Sequence, residues 1–315
     1  MKFLLTVTLF CFAFIGLSQS SNFNSQKEWS KNKKEIMFQA GATQFLGDLG
    51  GRDRIGKDYS LADINFPSTN INLGIGYRYR FHPRFATTTL LNVGMLKGDD
   101  ALTNEPIRKE RNLSFRSPIV NLSQRIEWIV FANEKVGKRY NIKGNKGMKF
   151  HNEQFYVFGG VGIAYFNPQA NYNGSWVNLR PLSTEGQGLA NGPKKYLPIT
   201  ATIPAGVGFR MGISQMWRIG IEASYIKTFS DYIDDVSGVY YDPAALSTQV
   251  SPTSAALSNR SPNNPDWFSA GEQRGDITDK DAFFFLNLTV SKNITYVNKN
   301  ARYKVKKYKY TRSKF

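Results

Sequence analysis

Residues 70–81 read Asn-Ile-Asn-Leu-Gly-Ile-Gly-Tyr-Arg-Tyr-Arg-Phe, an unbroken alternation. Ile71, Leu73, Ile75, Tyr77, Tyr79 and Phe81 share one face, and Asn70, Asn72, Gly74, Gly76, Arg78 and Arg80 share the other. A period of two puts successive side chains on opposite faces of a strand. Sustained over many segments, with the apolar face outward, it is the signature of a barrel in a bilayer, where backbone polar groups must be paired internally.

The pattern recurs on both sides of this stretch. Upstream, Glu35 to Phe45 sets Ile36, Phe38, Ala40 and Ala42 against Gln39, Gly41 and Thr43. Downstream, His82 and Pro83 turn the chain into Phe85 to Lys97, and Leu113 to Phe131 follows, with a bulge expected at Pro118 where the alternation changes phase. Glu153 to Phe166, a hairpin of Thr200 to Ile213 and Trp217 to Thr228, and Ala282 to Ser291 complete the set. The expected fold class is therefore all-β, a closed antiparallel transmembrane barrel of about eight strands with long extracellular loops. Aromatics make up 14% of the chain and gather at strand ends, where two girdles would meet the head groups. Tyr79, Phe81, Phe85, Trp128, Phe131, Phe155 and Trp217 form one rim, and Phe45, Phe115, Tyr165, Phe166, Tyr225 and Phe229 the other.

Lys2 followed by the apolar run Phe3 to Leu17 reads as a signal peptide, with Gly16 and Ser18 as the small residues of a cleavage site after Ser18. The expected organisation is a signal peptide at 1–18, a short periplasmic segment at 19–34, an outer-membrane barrel at 35–291 and a basic periplasmic tail at 292–315. Cys11 falls within the leader, so the exported chain would hold no disulfide, thiol nucleophile or cysteine-bound metal.

Short periplasmic turns and long outer loops orient such a barrel. Loops 46–69, 98–112, 167–199 and 229–280 then face outward, and 132–152 is an unusually long periplasmic connection. The net charge of +17 is unevenly spread. The connection carries Lys135, Lys138, Arg139, Lys143, Lys146 and Lys149 against Glu134, and the tail carries Arg302, Lys304, Lys306, Lys307 and Lys309 among its basic residues with no acid. A solvated end and a docking surface are both open readings of such a tail. An acidic periplasmic protein or anionic lipid is the expected partner class, and nucleic acid is not.

Arg78, Arg80, Arg125, Glu127, Arg210, Arg218 and Glu222 fall on the inward face, where mixed signs suit a salt-bridged plug better than a pore, because eight strands enclose room only for side chains. His82 and His151 both map to the periplasmic side, away from where an outer-leaflet hydrolase would need a base, so catalysis is not expected. No cofactor motif is present. Asp231, Asp234 and Asp235 form a weak candidate cation site without ordered ligand spacing, and a solvated acidic loop is the preferred reading.

Gln44 to Leu49 (QFLGDL), Arg111 to Ser117 (RNLSFRS) leading into Ile126 and Glu127, Thr184 to Gly188 (TEGQG) and Asp231 to Gly238 (DYIDDVSG) resemble the PorG-like outer-membrane barrels of the type IX secretion system. The resemblance spans most of the mature chain. It implies a non-catalytic secretion component that contacts a periplasmic ring containing a lipoprotein, and it supplies no catalytic residues. A small-solute channel or a surface-binding barrel is the alternative reading.

Overall fold

The computed structural model describes residues 33–49, 68–103, 105–133, 153–213 and 216–294. Its strands are β1 (Lys34–Leu46), β2 (Asn70–His82), β3 (Phe85–Asp99), β4 (Ser114–Asn133), β5 (Glu153–Phe166), β6 (Gln169–Tyr172), β7 (Ser175–Asn178), β8 (Ile199–Gly212), β9 (Trp217–Thr228) and β10 (Ala282–Asn293). All pairings are antiparallel. β1 pairs with β10 from Glu35↔Asn293 to Leu46↔Ala282, and β3 pairs with β4, so eight long strands close on themselves and leave no edge. The β6–β7 hairpin, which the sequence pattern did not reveal, joins the extended end of β4 through Arg116↔Gln169.

Alternation sets inside from outside. Ile71, Leu73, Ile75 and Tyr77 on β2 and Leu286 and Leu288 on β10 are exposed on the barrel wall, whereas Asn72, Arg78, Arg80, Asn287 and Thr289 are buried. A largely apolar outer wall of this kind is stable when hydrocarbon covers it. The turn end carries the short reversal at His82–Phe85, the β8–β9 reversal and the ends of β4 and β10. The loop end carries α1 (Pro106–Arg111), the β6–β7 hairpin, α2 (Pro243–Gln249) and α3 (Pro252–Ser258).

Two expectations are corrected. Pro118 is no bulge: β3 and β4 stay in register through Met95↔Pro118, and the irregularity in β4 lies at Ile129–Phe131 against β5. The apparent change of phase arises because the inward face is apolar at Leu113, just before β4, and at Phe115 and Ile119 within it, and polar from Asn121 to Glu127. For the same reason Phe45, Phe115 and Phe166 are not part of a lipid-facing girdle. They are buried, and pack with Leu49, Leu96, Ile119, Ile226, Ile233, Phe283 and Phe285 in one core that fills the loop end of the lumen, with Phe45 edge-on to Phe115 at 4.8 Å. Tyr165 and Phe229 from that proposed rim are exposed, as are Phe81, Phe85, Trp128, Phe131, Phe155 and Trp217 at the turn end.

The strand glycines differ sharply in what surrounds them. A Cβ on Gly160 would lie 2.2 Å from the Gln124 carbonyl oxygen and 2.8 Å from the Arg125 Cα, while one on the neighbouring Gly159 would meet nothing within 4 Å. Gly160→Ala is expected to destabilise the barrel by about 1–3 kcal/mol through overpacking, and Gly159→Ala to change it by less than about 0.5 kcal/mol. Far-UV circular dichroism melts in detergent check the contrast, and equal melting temperatures for the two variants would contradict it.

Candidate functional site

Inside the barrel the polar residues form a connected network. Near mid-height, Asn92 and Asn287 donate to Gln39 at 3.3 and 3.1 Å, Asn72 donates to Asn287 at 2.8 Å, and Gln39 donates to Glu222 at 3.1 Å. Glu222 also accepts from both Arg125 Nη atoms at 2.6 and 3.2 Å and from the Tyr156 hydroxyl at 2.9 Å. Gly208 makes room for that tyrosine, since a Cβ there would sit 2.2 Å from its ring. Arg125 lies over the Phe158 ring at 4.2 Å, so its guanidinium has a carboxylate on one side and a π face on another.

Toward the turn end, Glu35 is the hub. It faces Arg210 at 2.9 Å, Arg218 at 3.0 Å and Arg78 at 3.5 Å, and Arg78 also donates to Glu127 at 2.5 Å. Thr88 hydrogen-bonds Glu127, and Arg210 donates to Gln154 through Nε at 2.8 Å. All these charged groups are buried. A buried ion is tolerated when its desolvation is offset by a well-placed counter-charge and further hydrogen bonds, and the network supplies both.

The structure thus gathers Arg78, Arg80, Arg125, Glu127, Arg210, Arg218 and Glu222 inside the lumen. Sequence reasoning passed over Glu35, Gln154 and Tyr156. Glu35 was legible, since it shares its parity with Gln39, opposite the outward Ile36 and Phe38. Gln154 could be placed inward by parity, opposite the outward Phe155 and Val157, but parity alone gives it no partner. The aromatic Tyr156 on the same face gives no polar signal in a one-dimensional pattern.

Above the apolar core the loops form a second buried polar layer. Arg111, at the end of α1, donates to Asp100 at 2.7 Å and to the carbonyls of Arg274 and Asp48 at 2.7 and 2.8 Å. Arg274 donates to Glu185 at 2.9 Å and to the Asp235 carbonyl at 2.7 Å, and Glu185 accepts from the Ser237 N–H at 2.9 Å. Asp234 accepts from the Leu49 N–H at 3.1 Å, and Asp281 from the Ile233 N–H at 2.9 Å. Asp235 accepts from Thr184 and Tyr196, each at 2.6 Å, and Asp231 from Ser237 at 2.6 Å.

Asp231, Asp234 and Asp235 are therefore not a solvated acidic loop. They are buried, and their oxygens accept hydrogen bonds from the cap. Among the described residues no group of acidic, His or Cys side chains is arranged to hold a metal ion. The four segments behind the family resemblance converge here: Asp48 and Leu49, Arg111, Thr184 with Glu185, and Asp231 to Gly238 all belong to the cap.

Burial pushes several of these carboxyls upward. Asp48 rises to about 6, opposed by the Asp276 N–H that it accepts and by Arg111; Asp231 rises to about 7, with Asp48 and Glu185 adding repulsion. Asp235 rises to about 6 against the pull of Arg274. Asp234 and Asp281 are raised by burial and by each other's neighbourhood of acids. Glu110, at the cap surface, moves the other way, to about 2, because Ser261, Asn263 and Asn264 donate to it.

Lys135, Lys138, Arg139, Lys143, Lys146, Lys149, Arg302, Lys304, Lys306, Lys307 and Lys309 lie outside the described residues, as do His151, the leader at 1–18 and the reversal residues Ser214 and Gln215. Lys292, the first basic residue of the expected tail, belongs to β10 and stacks on Trp217 at 5.3 Å.

No protein-family model matches the chain, and no curated protein matches it. Among solved structures it is similar to the outer membrane protein OprG from Pseudomonas aeruginosa, at 10% identity and a TM-score of 0.39 over 84% of this chain and 97% of that one. It is also similar to Ail, the attachment invasion locus protein of Yersinia pestis, at 8% identity and a TM-score of 0.35 over 82% and 98%. Neisserial surface protein A matches at 6% identity and a TM-score of 0.35 over 82% and 96%. At such scores these likenesses carry no argument about this chain; the barrel rests on its own strand register.

Two outcomes are expected from the site. Glu35→Gln removes the carboxylate shared by Arg78, Arg210 and Arg218 and should cost about 3–5 kcal/mol, read as a lowered thermal midpoint in detergent. A melt unchanged from the parent would mean that Glu35 is not the hub. In the cap, a carboxyl raised above its unfolded value near 4 contributes stability below that value and loses it as pH climbs through the folded one. With Asp48 and Asp235 near 6 and Asp231 near 7, cap stability should fall between about pH 4 and pH 7. Hydrogen exchange at Leu49 and Ile233, corrected for base catalysis, should report more frequent opening at pH 8 than at pH 5. Asp234→Asn should weaken that dependence, and identical opening at both pH values would refute it.

Proposed function

We propose that this chain is a non-catalytic outer-membrane barrel that serves as a component of a type IX protein secretion machine and docks through its periplasmic end to ring subunits that include a lipoprotein. The observation that supports the reading is that β4 ends at Asn133 and β10 at Asn293 on the same turn end of the barrel, and that the sequence that follows each carries a basic stretch, 135–149 and 302–309. Basic residues that follow these strand ends would steer an acidic partner to that end.

Three further features support the reading. The outer wall of the barrel is apolar, as residence in a bilayer requires. Side chains in ion-paired contact fill the lumen, so transport through it has no open path among the described residues. The cap includes residues of each segment that resembles the PorG-like barrels, Asp48 and Leu49, Arg111, Glu185, and Asp234 with Ser237 among them. A filled lumen moves the expected work from conduction to attachment.

The test is site-specific photo-crosslinking from positions 138 and 306 in intact cells, together with deletion of the gene. The expected result is capture of the same periplasmic ring subunits from both positions and loss of protein secretion on deletion. Unimpaired secretion with a defect in solute uptake, or a stable open state in planar bilayers, would instead favour the channel reading and overturn this one.

A further inference from the structure

Between its aromatic ends the described outward face is apolar except at one place, where Thr87 and Thr89 on β3 meet Gln124 on β4. Thr89 stands opposite Gln124 across the ladder, with the Leu91↔Leu122 pair on the loop side and the Thr87↔Ile126 and Phe85↔Trp128 pairs on the turn side. The polar group is thus set within the apolar wall rather than at its rim. Gln124 and Thr89 are exposed.

The three side chains hydrogen-bond one another. Thr89 Oγ1 donates to Gln124 Oε1 at 2.6 Å, Gln124 Nε2 donates to Thr87 Oγ1 at 2.5 Å, and Thr87 Oγ1 donates to the Arg125 carbonyl at 3.1 Å. A primary amide has two N–H donors and two acceptor sites. These contacts use one of each, and one N–H and one lone pair of Gln124 remain. In hydrocarbon a remaining donor and acceptor are costly.

Next to Gln124 on β5 stands the exposed Val161, and one outward position further toward the turn end the wall steps inward. Ile126 pairs with Gly159, and Gly159 pairs with Ala205, so two small residues follow one another around the barrel. A side chain added at Gly159 would meet nothing within 4 Å.

We propose that this face, from β3 through β4 and β5 to β8, receives a second copy of the barrel about a two-fold axis, with the two Gln124 amides exchanging their remaining N–H and C=O. A group with one donor and one acceptor left is its own complement, and a two-fold axis brings like residue to like residue. Acyl chains offer no polar atom to the pair, and lipid head groups lie at the ends of the wall. The step at Gly159 and Ala205 lets the two walls approach closely enough for the amides to meet. The proposal rests on the membrane reading given above.

The test uses the full chain in isolated outer membranes, with Ile126→Cys beside the proposed axis, Leu288→Cys on distant β10 as control, and a short bis-maleimide crosslinker. The expected result is an adduct of twice the chain mass from Ile126→Cys and none from Leu288→Cys. Adding Gln124→Leu or Gly159→Leu should abolish it, while heat-modifiable gel migration shows that the barrel is still closed. The dimer proposal alone is overturned if the protein is present in the membranes but gives no homodimer, couples only to a different protein, crosslinks equally from position 288, or dimerises regardless of both added substitutions. Absence of the protein from the outer-membrane fraction overturns the membrane reading and the dimer with it.

Discussion

Closing eight strands leaves a lumen just wide enough for side chains and too narrow for bulk water, so each charge that points inward must find its counter-charge within the wall. Glu35 meets that constraint for three arginines from three strands, Arg78, Arg210 and Arg218. Glu222 does the same higher up for Arg125, with Tyr156 and Gln39 taking further lone pairs. The positions of these acids determine where the arginines can lie, and the glycine at 208 gives Tyr156 its space. Above them the requirement changes, and Phe45, Phe115, Phe166, Phe283 and Phe285 fill the lumen by apolar contact.

That change of filling explains both what the sequence revealed and where it misled. Strand positions were legible because alternation is a local property: Glu153 to Phe166 and Trp217 to Thr228 have the bounds that the pattern implied. The assumption that inward means polar failed at the loop end. There it turned Phe45, Phe115 and Phe166 into lipid-facing residues and turned the apolar-to-polar transition along β4 into a bulge at Pro118. The inward arginines of the lumen could be listed from parity, but their pairing with Glu35 could not, because the partners come from 43 to 183 residues away.

The cap was the least legible part. Asp48, Glu185, Arg274 and Asp281 belong to no periodic element, and each gains its role from a loop far off in sequence, as when the Asp276 N–H donates to Asp48 and Arg274 donates to Glu185. Acid runs in loops are usually solvated, which made Asp231, Asp234 and Asp235 read as surface. In the folded cap they serve as acceptors for N–H and hydroxyl groups that have left water, so acidity there holds loops together.

The contact between β1 and β10 has a kinetic meaning. The first strand pairs with the last, and Glu35, near the start of the chain, is neutralised by arginines on β8 and β9. Until the last strands have been delivered, the first strand carries an acid matched only by Arg78 on β2, and an open hydrogen-bonding edge. Contacts this distant in sequence make folding slow and dependent on loop closure. A chain that stops before β10 therefore leaves both β1 and β9 with an unpaired edge.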